Sequence, residues 1–256
     1  MRFFESDQGV IRFTFAGIPT VIRPSSWLML LLLGSLNQSA ASINVAGVLL
    51  FVVAGMLCLL VHEYGHALTC RAMGGGASSI EITSMGGLTS SDILPSGRFG
   101  QLLMVLAGPG ASLALCLLGG MLLGLQVGNV RAGMLFSLYM PLAGLLPHTV
   151  MAPDELLVLL PIIFNGEMSN FVITGYCSLF TVCVWWALFN LLPIIPLDGS
   201  KALHLIINNA LLVCRIGVVV SVLLMVVCLT RAMVFNAFIC ASLAYTNWQY
   251  LKPTRK

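Results

Sequence analysis

Residues 45–70 read VAGVLLFVVAGMLCLLVHEYGHALTC, an unbroken apolar run that closes on two histidines and a glutamate. As a helix it would extend about 39 Å at 1.5 Å per residue, enough to cross the roughly 30 Å of hydrocarbon in a bilayer. Ionisable side chains are costly at that depth, so His62, Glu63 and His66 call for a chemical reason. Residues four apart on a helix are separated by about 40° around the axis and roughly 6 Å along it, so His62 and His66 share a face and can grip one ion. Glu63 lies beside them, where its carboxylate can reach a water on the metal. The ion lowers that water's pKa so that hydroxide forms near neutral pH. A catalytic zinc also needs a third protein ligand, with the fourth position left to water or substrate.

The rest of the chain is of the same apolar kind. Of its 256 residues 59% are hydrophobic and 8% charged, against roughly 25% charged in an ordinary soluble domain. Spanning-length apolar segments recur almost throughout and leave no polar block for a separate soluble domain, so the expectation is one membrane-embedded domain over residues 1–256. MRFFESDQGVIRFTF has acidic residues and alternating aromatics where a signal peptide would have a basic end and an apolar run, so no cleaved targeting segment is evident. The net charge of +3 does not suggest nucleic acid. The eight cysteines sit in or beside apolar runs without a CxxC pair and read as small packing residues.

VIRFTFAGIPTVIR, residues 10–23, alternates around a Gly-Ile-Pro turn and predicts a short hairpin at the membrane surface, within 1–25. A short or tilted span from Trp27 to about Asn37 follows, then the His62 helix. GGGASSIEITSMGGLTSSD, residues 74–92, predicts a second hairpin, in which SSIEIT is a strand and MGG turns it back. Residues 26–127 end in a long apolar segment from Gln101 to Val127. An extra segment, 128–170, crosses the membrane zero or two times around PHTVMAPDE. Residues 171–256 carry a span from Phe171 to Leu192, an interruption at PIIPLDG, and spans near Leu211–Leu229 and Met233–Tyr250. The expected fold is an α-helical polytopic membrane protein of about six to eight transmembrane helices. With both termini in the cytoplasm, Arg2, Arg12, Arg23, Arg71, Arg98, Lys201, Lys252, Arg255 and Lys256 fall on that side, Arg215 close to it, and Arg131 and Arg231 opposite. That topology brings the carboxyl end of the His62 helix and the segment after Asn190 to the same membrane face.

Candidates for the third ligand after His66 are Glu81, Asp92, His148, Asp154, Glu155, Glu167, Asp198 and His204. Asp198 stands apart, because Pro193 and Pro196 of NLLPIIPLDG interrupt the helix before it. Freed backbone is tolerated at membrane depth only inside protein or beside a watery cavity, which a hydrolytic site also needs. HEYGH at 62–66 together with NLLPIIPLDG at 190–199 closely resembles the two signatures of the site-2 proteases, the intramembrane zinc metalloproteases. The resemblance implies His62, His66 and Asp198 as ligands of Zn2+, Glu63 as general base and proton shuttle, and Asn190 as a residue that holds the substrate backbone. It also implies that the 74–92 hairpin, with Gly86 and Gly87, is re-entrant, its edge pairing with an unwound strand of the substrate. The substrate would be a single-span protein in the lipid bilayer, cut in regulated intramembrane proteolysis, with a regulatory membrane partner possible.

Departures from the family pattern are the absence of PDZ-like and CBS-like domains, the extra 128–170 segment, and AGPGAS at 107–112, where many relatives carry a nearby Asn and Ser112 is here the nearest polar residue. Other readings stay open on sequence alone. One is a buried polar cluster that only joins helices, and a second is a membrane metal-binding or transport protein or a catalytically silent scaffold. Another is a metalloprotease of the CAAX-processing type, whose third ligand is a glutamate in a motif context that Glu155 and Glu167 lack.

Overall fold

The computed structural model describes residues 9–36, 44–143, 154–157, 159–164, 168–231 and 233–252. His148, Glu167 and most of PHTVMAPDE lie outside them. The chain forms two compact units, Met1–Pro95 with Ala107–Ala187, and Ser96–Leu106 with Leu188–Lys256.

In the first unit β1 (Ile11–Phe15), β2 (Ile18–Ile22), β3 (Ser78–Thr83) and β4 (Gly86–Ser91) form one sheet in that order. The β1–β2 turn is Ala16-Gly17, with φ of +50° and +73°, rather than the Gly-Ile-Pro read from sequence. Two consecutive positive φ values give the turn a twist that matches the strands it joins, and Gly17 adopts one of them without steric cost. Ile18 and Pro19 therefore enter β2. Pro19 faces Thr14 of β1 and precedes the β2–β3 register, which begins at Thr20, so its missing N–H breaks no bond to β3.

The two hairpins expected separately are joined by parallel pairing of β2 with β3. Register then aligns Ile11, Ile22, Ile82 and Gly87 in one row, and Phe13, Thr20, Ile80 and Thr89 in the next. Because side chains alternate across a strand, all eight point to the same face. Ile22, Ile80 and Ile82 from this face pack into a core with Leu59 and Ala67 of helix α2 (Val45–Ala72) and Leu30 of α1 (Pro24–Leu36). Register thus presents Gly87 and Thr89 to α2 one strand beyond the isoleucines.

Helix α2 starts at Asn44, whose side chain accepts the Gly47 N–H at 3.3 Å. It is followed by α3 (Arg98–Gln126), α4 (Val130–Leu142), the short α5 (Asp154–Leu157) and α6 (Leu159–Phe164), and α7 (Asn170–Asn190). A second core joins Cys58 of α2, Cys116 and Leu123 of α3, Phe136 of α4, and Phe180 and Cys183 of α7. The cysteines are free thiols, in line with their reading as packing residues.

The second unit holds the first turns of α3, the broken segment 191–197, α8 (Asp198–Ile207), α9 (Ala210–Thr230) and α10 (Val234–Leu251). As the two prolines required, α7 ends at Asn190 and a new helix begins at Asp198. Asn208, in the left-handed conformation at φ +54°, ends α8, and Asn209 caps α9 through the Leu212 N–H at 3.0 Å.

Among the described residues four helices, α2, α3, α7 and α9, are long and apolar enough to cross a membrane, against the six to eight spans read from sequence. Helix α1 is apolar but has 13 residues, about 20 Å, less than a hydrocarbon thickness. Between 128 and 170 the described helices are 13, 4 and 6 residues long, and none qualifies as a span.

Candidate metal centre

Three side chains of the HEYGH stretch are buried in the first unit: His62 is 2% exposed, Glu63 4% and His66 8%. The helix places the rings of His62 and His66 edge to face, with centroids 4.8 Å apart and Nε2 atoms 3.2 Å apart. Two nitrogens bound at 2.0–2.1 Å to one tetrahedral zinc are separated by about 3.3 Å, so the pair is already at the spacing of two ligands on one ion.

The hydrogen bonds accommodate the tautomer that a metal ligand requires. Ser112 Oγ donates its one proton to the Gly108 carbonyl at 3.4 Å and lies 3.1 Å from His62 Nδ1. With that proton on the Gly108 carbonyl, the hydroxyl is an acceptor for an Nδ1–H, the tautomer whose Nε2 lone pair lies on the side of His66. A partner on the second ring nitrogen is the usual way of orienting a histidine ligand. Cys58 Sγ also donates to Ser112 Oγ, at 3.7 Å, so this thiol is turned into the packing.

On the α3 side, bare backbone at Gly108 lies against the nitrogens. A Cβ built on Gly108 would collide with His66 Nε2 and come within 2.8 Å of His62 Nε2. Nearby, Gly65 lets α2 approach α3, since a Cβ there would meet the Ala107 carbonyl at 2.5 Å. The ring of Trp186 forms another wall, 6.2 Å from that of His62. The space, the nitrogen spacing and the donor set all fit a metal ion.

Glu63 is held from β4. Thr89 Oγ1 lies 2.7 Å from Glu63 Oε2 and 3.1 Å from the Glu63 carbonyl oxygen, both acceptors for the single hydroxyl proton. The carboxylate rests against Gly87, where a Cβ would overlap Oε1. Gly86, at φ +106°, carries the strand past Trp186. The face of the sheet set by register therefore supplies both the polar contact and the open space for Glu63.

In the second unit Asp198 is the first residue of α8, 4% exposed, with Oδ1 2.8 Å from Lys201 Nζ. Asn190, the last residue of α7, is 8% exposed. Of the other described third-ligand candidates, Glu81 pairs with Arg23 and Glu155 with Arg131 at 2.9 Å, both only partly buried, and Asp92, Asp154 and His204 face outward. Thr89 escaped the sequence reading because a threonine in a polar strand carries no signal until register fixes its face.

A sequence model of Peptidase family M50 matches residues 50–230, which include both the HEYGH stretch at 62–66 and Asp198. The chain belongs to family M50. This is the site-2 protease family, and its members are intramembrane metalloproteases, so the apolar helices and the histidine pair belong to an integral membrane protein of that class. The fold of this M50 member is similar to that of a solved site-2 protease from Methanocaldococcus jannaschii, with a TM-score of 0.52 and 17% identity over 96% of this chain and 97% of that one. No curated protein matches the chain.

Proposed function

We propose that this M50 peptidase is a zinc endopeptidase that hydrolyses a peptide bond in or next to the transmembrane segment of a single-span membrane protein, as a step of regulated intramembrane proteolysis. The observation that carries the reading is the 3.2 Å approach of two buried histidine nitrogens next to a buried glutamate on a membrane-length helix. His62, His66 and Asp198, each buried and each offering one ligand atom, would hold the ion. Bound zinc supplies Lewis-acid polarisation of the scissile carbonyl and acidifies water.

The chain's own residues do the rest. Ser112 keeps His62 in the Nδ1–H tautomer. Thr89 holds Oε2 of Glu63, so that Oε1 is the atom that takes the proton of the attacking water and returns it to the leaving amide nitrogen. Strand β4 is an outer strand of its sheet, and the hairpin containing Gly86 and Gly87 enters the membrane and offers that edge to the substrate. A helical substrate hides its peptide bonds, and pairing with a strand edge stabilises the extended form that exposes them. Asn190 holds the substrate backbone. Residues 1–256 act as one catalytic domain, with both termini in the cytoplasm and any regulation coming from a membrane partner.

The test compares wild type and Glu63→Gln, purified in nanodiscs, for zinc content and for cleavage of a model transmembrane substrate. Equal zinc with cleavage lost is the expected result. Full cleavage by Glu63→Gln would overturn the assignment. Stoichiometric zinc with no hydrolysis of any transmembrane peptide by wild type would favour a silent scaffold or a metal-binding protein.

A further inference from the structure

Asn247 lies in the C-terminal helix α10, beyond the 50–230 span that matches the family, and is 0% exposed. A buried carboxamide in an apolar helix is costly unless its donors and acceptor are all used. Here they are. The Ile195 N–H donates to Asn247 Oδ1 at 3.1 Å, and Asn247 Nδ2 donates to the Ile195 carbonyl at 3.0 Å and to the Leu243 carbonyl at 2.8 Å. One side-chain amide thus pairs with both backbone groups of one residue, as a neighbouring strand would. The pairing also fixes the amide orientation, because the flipped form would set donor against donor and acceptor against acceptor.

Ile195 stands at the centre of the break between α7 and α8. Pro193 and Pro196 have no N–H to give, the Ile194 N–H bonds to the Leu192 carbonyl at 2.8 Å, and the Leu197 N–H bonds to the Ile194 carbonyl at 2.7 Å. The Ile195 N–H is met from α10 instead, three residues before Asp198. Asn247 is itself seated by Gly217 of α9, where any Cβ would take the place of Oδ1.

We infer that Asn247 is a positioning residue, which clamps Ile195 so that the broken segment delivers Asp198 in a fixed orientation. This rests on the proposed ligand role of Asp198 for its consequence at the metal, but the clamp itself does not. Outer residues that orient metal ligands typically change metal affinity by about 10–100-fold when removed.

The experiment uses the full chain in nanodiscs, with zinc alone as probe, titrated against a chelator. Amide hydrogen exchange of the metal-free protein is measured in parallel. Asn247→Leu, branched at the same carbon but without the amide, should weaken zinc binding by at least about tenfold and speed exchange at Ile195. Exchange in the rest of α9 and α10 should stay as in wild type. Gly217→Ala, which displaces the amide without removing it, should do the same and decides the question if Asn247→Leu fails to fold. Zinc affinity within twofold of wild type in a folded variant, with Asp198→Asn still defective, would overturn the inference while leaving the ligand assignment intact. If wild type holds no zinc, the ligand assignment falls, and exchange at Ile195 alone decides for or against the clamp.

Discussion

Replacing Thr89 by valine tests whether the strand that would receive substrate also holds the base. The two side chains have nearly the same shape, so Thr89→Val removes the hydroxyl that reaches Glu63 Oε2 at 2.7 Å and leaves the packing of the sheet on α2 unchanged. A hydrogen bond to a charged group contributes about 1.5–3 kcal/mol. At 1.36 kcal/mol per decade, this corresponds to about a 10- to 150-fold loss of kcat/KM if the bond is needed in full to aim Oε1 in the transition state. The loss should fall on kcat, since Thr89 Oγ1 touches Glu63 and not the proposed metal ligands, and zinc content should stay that of wild type. The assay is cleavage of a fluorescent transmembrane reporter at several substrate concentrations in nanodiscs, with metal analysis of the same preparations. A Thr89→Val protein within twofold of wild type in kcat, under conditions where Glu63→Gln is inactive, would refute the argument that β4 orients the base.

Two glycine substitutions separate the metal from the base. Gly108→Ala puts a methyl group where the Nε2 atoms of His62 and His66 converge, and should abolish the proposed zinc binding, as read by metal analysis. Gly87→Ala puts one against the Glu63 carboxylate instead, so zinc should be retained while kcat falls by up to about a hundredfold, the penalty of an ångström-scale misplacement.

Most of the helical framework could be read from the sequence, because helix formation and membrane insertion depend on the local run of side chains. Helix α2 spans Val45–Ala72, two residues beyond the apolar run, and α3, α7, α9 and α10 lie within a few residues of the apolar segments that predicted them. The break after Asn190 followed from proline chemistry alone. Among the described residues four helices are long and apolar enough to cross a membrane, whereas α1 and the described helices of 128–170 are shorter than a span. The join of the two hairpins through β2 and β3 was not readable, as parallel pairing links residues about 60 apart in the chain and leaves no local mark.

By itself, the sequence determined that the chain lives in a membrane and that a histidine pair with an adjacent glutamate sits on one membrane-length helix. Composition and helical spacing are properties of the chain and need no partner. Only the tertiary structure decided what holds those groups: Ser112 on the His62 ring, Thr89 and Gly87 on Glu63, and Asn247 on the backbone of Ile195. Each of these contacts joins segments well separated along the chain. Its partners are selected by sheet register and by close approach at glycines, which come into being only when the chain has folded.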